Sequence, residues 1–374
     1  MKVSYISAVN NMSGYANAAR NNIAALMETG VSVEAIPLSF EPFQADLGLL
    51  GKKIENITVN KITGNINLIH TTPNIWHKYI DSNKVNIGYC AWETTQLPVD
   101  WVRQINQMTE VWCPSQYNVE VFKNSGVNIP VVCIPHTFNN ELYKQEVVKV
   151  NFQHIVQDNF IFYSIFQWHV RKNPLALLKA YLTEFTDKDN VCLMIKSYIT
   201  NPNNPAEKEK IKAEIKEIKS RLYLKSYPKI LLITDLLSRC QIRALHELGH
   251  CYLSFHASEG WGICPSEAAL AGKPTIATDY SGTQEFIFKK ADTQTGYPIS
   301  YQLTPCYGMP WETYDGHQSW ADINILEARQ QMRYCYEHPE ETKQIGLKAQ
   351  QWIEQNLSWL KVGNLMKERL SLYQ

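Results

Sequence analysis

Apolar and polar positions along this chain fall into two long series of short buried strands alternating with longer helices. Residues 3–8 form a compact apolar run that reads as a strand. A loop through Ser13-Gly14 follows, then a helix over roughly residues 15–29 that Gly30 closes. Further strands are expected at residues 31–36, 66–70, 85–91, 110–113 and 131–134. The second series opens with a strand at 160–166 and a helix from Pro174 to about Phe185. It continues with a strand at 191–195, a highly charged helix around 207–222, a strand at 230–234 and a helix at 238–247. The closing unit is a strand (252–255), a glycine loop, a short helix and a strand (275–278). Pro265 suits the first position of that helix, and Gly272 followed by Lys273-Pro274 stops it.

Regular strand–helix alternation implies parallel sheets covered on both faces. The expected fold class is α/β, with two doubly wound, Rossmann-like domains whose strand ends face a central cleft. The expected boundaries are 1–145 for the N-terminal domain and 146–355 for the C-terminal domain, with a C-terminal helix at 356–374 returning to the first domain. A hinge is expected near residues 138–158. Residues 289–315, rich in Gly, Pro and Tyr, read as an insertion, and 340–374 as helical.

Composition narrows the classes. A chain of 374 residues, 45% hydrophobic and 19% charged, can build two sizeable cores. Its 36 basic and 36 acidic side chains cancel, which argues against a nucleic-acid partner met by a broad basic surface. No run approaches the roughly 18 apolar residues of a spanning helix. The opening strand-like run is too short for a signal peptide. Nine scattered cysteines without a Cys-x-x-Cys pair fit buried thiols in a reducing compartment and no structural zinc. The expected address is cytoplasmic. The charged segment 207–225 reads as an exposed helix with local ion pairs, with peripheral contact at the inner membrane face as the alternative. Asp187-Lys188-Asp189 reads as a surface turn rather than a metal triplet.

The chemistry concentrates in Glu259-Gly260-Trp261-Gly262-Ile263-Cys264-Pro265-Ser266-Glu267. Two carboxylates with seven residues between them surround a Gly-x-Gly loop that runs into a helix. Backbone N–H groups and a helix N-terminus meet an anion closely there. Carboxylates are acceptor-only groups and suit hydroxyls. Phosphate flanked by hydroxyls describes a nucleotide sugar. A glutamate in a first helical turn is also favoured by the helix dipole alone, so the bare pair carries little; the complete string carries more.

Residues 256–287 (HASEGWGICPSEAALAGKPTIATDYSGTQEFI) closely resemble the nucleotide-sugar motif of family-4 retaining glycosyltransferases of the GT-B fold. The resemblance implies that Glu267 holds the ribose hydroxyls and Glu259 the transferred sugar. Gly262, Ile263 and Cys264 would offer amides to phosphate, and the turn at Gly282-Thr283 another. Lys172 matches the family's diphosphate lysine. The family's arginine would fall near Gln167, where this sequence departs, and Arg171 is the substitute. In the first half, Gly14 stands where such enzymes carry a donor-facing glycine loop. Trp92-Glu93, after a buried strand, places an acceptor-side carboxylate beside an aromatic ring. His70 and His136 are further strand-end candidates, each also readable as a structural histidine.

The function this implies is retaining transfer of a hexose from GDP-mannose or a UDP-hexose to a hydroxyl of a glycan, lipid-linked or protein acceptor. The resemblance implies no metal and no cofactor beyond the nucleotide-sugar co-substrate, with Glu93, Lys172 and Glu259 catalytic. The alternatives are a nucleotide-sugar epimerase or hydrolase of the same plan, or a non-catalytic sugar-nucleotide-binding subunit.

Overall fold

The computed structural model describes residues 1–38, 47–139, 148–151, 153–156, 158–290, 292–308 and 314–373. It divides into two units, Met1–Lys144 with Ile353–Gln374, and Gln145–Trp352. Much of the segment expected to act as a hinge, residues 140–147, lies outside the described residues.

The first unit runs β1 (Lys2–Ser7), α1 (Gly14–Glu28), β2 (Ser32–Pro37), α2 (Gly48–Glu55), β3 (Ile66–His70), β4 (Val85–Tyr89), α3 (Val99–Ile105), β5 (Glu110–Cys113), α4 (Gln116–Asn124) and β6 (Val131–Cys133). The sheet order is β2-β1-β3-β4-β5-β6, every pair parallel. The strands are buried almost throughout because helices cover both faces. Ser13 starts α1 by accepting the Ala16 N–H at 3.2 Å. Buried Arg20 ties down the preceding loop by donating to the carbonyls of Val9 (2.8 Å) and Asn11 (2.7 Å).

The second unit runs α5 (Gln153–Val156), β7 (Phe160–Gln167), α6 (Pro174–Glu184), β8 (Val191–Tyr198), α7 (Pro205–Leu222), β9 (Lys229–Ile233), α8 (Arg239–Leu248), β10 (Cys251–Ser254), α9 (Ile263–Leu270) and β11 (Thr275–Thr278). Residues 289–315, expected to be an insertion, are partly ordered into strands. β12 (Lys289–Lys290) and β13 (Thr293–Gln294) make a short hairpin. β14 (Tyr297–Ile299) joins the main sheet parallel to β11, and β15 (Tyr301–Pro305) pairs antiparallel with β16 (Ser319–Ile323). Residues 309–313 of this stretch lie outside the described residues. The main sheet has the order β14-β11-β10-β7-β8-β9, again all parallel. One face packs Phe162, Leu193, Ile195 and Leu253 into a large core, and the other packs Tyr163, Cys192, Met194 and Tyr252.

The C-terminal region is α10 (Ile325–Glu337), α11 (Pro339–Asn356) and α12 (Trp359–Ser371). The helical pattern of 340–374 is therefore split in two, because Ser358 caps a new helix by accepting the Lys361 N–H. α12 belongs to the first unit. Arg369 Nε donates to buried Glu110 at 2.8 Å, Tyr373 adds a hydrogen bond at 2.6 Å, and Trp359 Nε1 donates to Asn21 at 3.0 Å. All nine cysteines are unbridged, and among the described residues no helix is long and apolar enough to cross a membrane.

Candidate active site

In each sheet the strand order reverses at one place: between β1 and β3 in the first unit, and between β7 and β10 in the second. Beyond the carboxyl ends of the strands at such a point, connections leave in opposite directions and open a crevice for ligands. In the second unit the loop after β7 carries Arg171 and Lys172, and the loop after β10 carries Glu259. These three side chains meet.

Glu259 is buried. Lys172 Nζ bonds its Oε1, and Arg171 reaches Oε2 at 3.2 Å. Arg171 also donates to the Ser258 carbonyl at 2.8 Å, while its own carbonyl accepts the Ala257 N–H at 2.8 Å, so the two loops are stitched together. Burial alone would raise the Glu259 carboxyl; Lys172, then Arg171, more than reverse that and push it down to about 2. Ser281 fixes the Glu259 backbone by accepting its N–H at 2.9 Å. Ser281 sits at φ +65, a left-handed conformation costly for a non-glycine residue and held by its buried surroundings. Buried His256 lies behind, bonded to Ser254 at 2.9 Å, and burial pushes it down to about 4, so it is neutral.

Gly262 caps α9 at φ +101, and a Cβ there would lie 2.8 Å from Thr283 Cγ2 and 2.9 Å from Pro265 Cγ. The turn therefore requires glycine. Pro265 takes the third helical position rather than the first, because α9 starts two residues earlier, at Ile263. Among the described residues, the N–H groups of Gly262, Ile263 and Cys264 have no acceptor within the chain. They form the positive end of the helix. One turn on, buried Glu267 is held by Arg239, the first residue of α8, with His246 Nε2 3.9 Å away on its other side.

No family model and no curated protein matches the chain. Among the solved structures it resembles is HepE of Anabaena in complex with UDP-glucose, with 16% identity and a TM-score of 0.70 over 99% of each chain. Another is a sucrose-phosphate synthase from Thermosynechococcus elongatus, with 13% identity and a TM-score of 0.68 over 100% of this chain and 98% of that one. The fold is GT-B.

Within that fold the expected site residues divide. Arg171, Lys172, Glu259, Gly262, Ile263, Cys264 and Glu267 come together at the carboxyl edge of one sheet. Arg171 and Lys172, expected on a diphosphate, both hold Glu259. Gln167, where the family's arginine would fall, donates to the Ile199 carbonyl at 2.7 Å. The Gly282 amide departs from expectation. The Gly282 N–H is spent on the Glu259 carbonyl at 2.8 Å, and a Cβ there would meet the Gly260 carbonyl at 2.2 Å. The buried Thr283 hydroxyl faces His256 Nε2 at 3.2 Å. The Gly282 amide and the Thr283 side chain thus brace the loop that carries Glu259.

In the first unit, Trp92 also departs from the expected ligand contact. Its ring is 1% exposed, packs edge-on against Trp101 and donates from Nε1 to Thr94 Oγ1 and the Gln96 carbonyl, each at 2.8 Å. It pins the corner after β4. Glu93, next to it, is half-buried, with Tyr117 donating to its carbonyl at 3.1 Å. Gly14 is exposed at the start of α1. His70 and His136 are core residues. His70 accepts from or donates to Tyr5 at 2.7 Å and stacks on Tyr89 at 4.2 Å, and His136 lies 3.1 Å from the Tyr89 hydroxyl. Burial keeps both neutral, with His136 pushed down to about 3. The Asp187-Lys188-Asp189 turn is structural: Asp189 accepts the Thr186 N–H and pairs with Arg333, each at 2.8 Å.

Sequence reasoning missed Arg239. The signal was present, because a cation at the first position of a helix is disfavoured by the dipole unless a carboxylate answers it.

Proposed function

We propose that the chain is a retaining glycosyltransferase moving a hexose from a nucleoside-diphosphate sugar to an acceptor hydroxyl. One observation carries this reading. Two buried glutamates, one clamped by Arg171 and Lys172 after β7 and the other by Arg239 at the start of α8, flank a helix N-terminus with unsatisfied amides at the switch point of a parallel sheet. The amides and the helix end suit a diphosphate, and the glutamates suit hydroxyls on either side of it. Ribose falls to Glu267 and the transferred sugar to Glu259.

Lysine has three N–H donors and arginine five, so Lys172 and Arg171 can hold Glu259 and still meet a phosphate oxygen. Charge developing on the leaving diphosphate is then stabilised by Lys172, Arg171 and the amides of α9, without reorganisation and without a metal. Glu93, at the carboxyl end of β4, orients the acceptor hydroxyl. The UDP-glucose bound by HepE weights the donor toward a UDP-hexose. The acceptor is a glycan, lipid-linked or protein hydroxyl, and the site is expected to work in the cytoplasm.

The test is a thermal-shift panel of UDP, GDP and ADP, followed by UDP or GDP release from the matching hexose donor. Ligand at 100 times its dissociation constant stabilises by about 2.7 kcal/mol. No shift with any nucleoside diphosphate at millimolar concentration would overturn the reading.

A further inference from the structure

Lys196 has no part in the site described above, yet it lies at the same sheet edge. It is the sixth residue of β8, on the face that carries Cys192 and Met194 and that α8 and α9 cover. It is 6% exposed. Among the described residues its ammonium has no carboxylate within ion-pair distance and no hydrogen-bond acceptor. The contact it makes is with the Tyr198 ring, 5.4 Å away on the same strand face.

A buried lysine normally has a counter-ion, because an unpaired charge in a dry site costs several kcal/mol. The charged groups that face Lys196 are few. Asp235, after β9, is shared with Lys208 of α7 at 3.9 Å, and Cys264 is in the first turn of α9. Cys264 packs against the cluster formed by Cys192 and Met194 on the β8 face that carries Lys196, so Lys196 lies on the side of the sheet where α9 begins. Burial pushes the ammonium down to about 8, with Asp235 and then Cys264 opposing.

We propose that Lys196 is a phosphate-binding residue of this site, completing a cradle with the free amides at the start of α9 for the diphosphate of a nucleoside-diphosphate ligand. This rests on the donor reading above and adds to it a third cation, from β8, beside Arg171 and Lys172 of the loop after β7. Two positive features on one side of the sheet, an ammonium without a direct ion pair and a helix N-terminus, call for net negative charge. The phosphates supply it and the base does not.

The test compares wild type with Lys196→Met and Lys196→Arg by isothermal titration of UDP, GDP, uridine and guanosine. Lys196→Met should weaken UDP or GDP about tenfold to a hundredfold, the range of one charge-assisted hydrogen bond, and leave nucleoside binding unchanged. Lys196→Arg should recover most of the loss. Methionine fills the site without a charge, so its melting temperature should equal or exceed that of wild type. Should Lys196→Met fail to fold, the wild-type pH profile decides. A bound anion favours the charged ammonium, so diphosphate affinity should fall as pH rises above about 8. A flat profile, wild-type affinity in Lys196→Met, or equal loss of nucleoside and diphosphate would each overturn the assignment. Wild type binding neither UDP nor GDP would instead refute the donor reading, and this inference with it.

Discussion

Replacing Lys172 by Met removes one of the two cations on buried Glu259, and its consequences separate two roles. The Glu259 carboxyl stands at about 2 against an ordinary 4.5. That gap is worth about 3 kcal/mol at neutral pH. Lys172 supplies the larger of the two attractions, so its loss should cost about 2 kcal/mol of stability in the second unit. Turnover should fall about 10²-fold if Lys172 also stabilises the departing diphosphate. The decisive comparison is with Glu259→Gln. A neutral amide no longer needs the cation, so adding Lys172→Met to that variant should cost little stability. It should still cost about 10² in turnover, because the leaving group remains charged. The measurements are thermal melting and nucleoside-diphosphate release from the donor, on both single variants and the double. No further loss of turnover in the Glu259→Gln background would refute the argument and leave Lys172 as a partner of Glu259 only. Arrest of the wild type by chelator alone would show that a metal carries the leaving-group charge.

Glu267→Ala should weaken nucleoside-diphosphate binding by about tenfold or more, the worth of a charge-assisted hydrogen bond; normal binding with early melting would reduce Glu267 to an anchor for Arg239. Glu93→Gln should spare nucleotide affinity, since Glu93 belongs to the first unit, and depress transfer to acceptor; titration paired with a product assay decides it. Gly262→Ala should destabilise the second unit by about 1–3 kcal/mol, because alanine is strained at φ +101 and its Cβ meets Thr283 and Pro265; an unchanged melting midpoint would contradict this. In acid, the contribution of Glu259 is complete above about 4.5 and disappears as pH falls through about 2. Glu259→Gln should therefore flatten the acid limb of a stability–pH curve, and an unaltered limb would show that other carboxylates control it.

Much of this protein was legible in its sequence because the relevant signals are local. Apolar runs placed β3 at Ile66–His70, β5 at Glu110–Cys113 and β11 at Thr275–Thr278, since a strand buried on both faces needs no knowledge of its neighbours to be recognised. The glycine loop between Glu259 and Glu267 was equally visible, because its chemistry and backbone needs lie within nine residues. Tertiary structure alone decided what each polar group is spent on. The Gly282 amide, a ligand donor by resemblance, is consumed by the Glu259 carbonyl across a turn. Trp92 is buried by Trp101. Arg239 finds Glu267 from 28 residues away, and α12 finds Glu110 from 259. Strand order, which sets the switch points and brings Lys172 to Glu259, depends on pairing between distant segments, and no local periodicity encodes that. Lys196 is the extreme case: in sequence it is one lysine near the end of an apolar strand, and only the tertiary packing leaves it 6% exposed with no direct ion pair among the described residues.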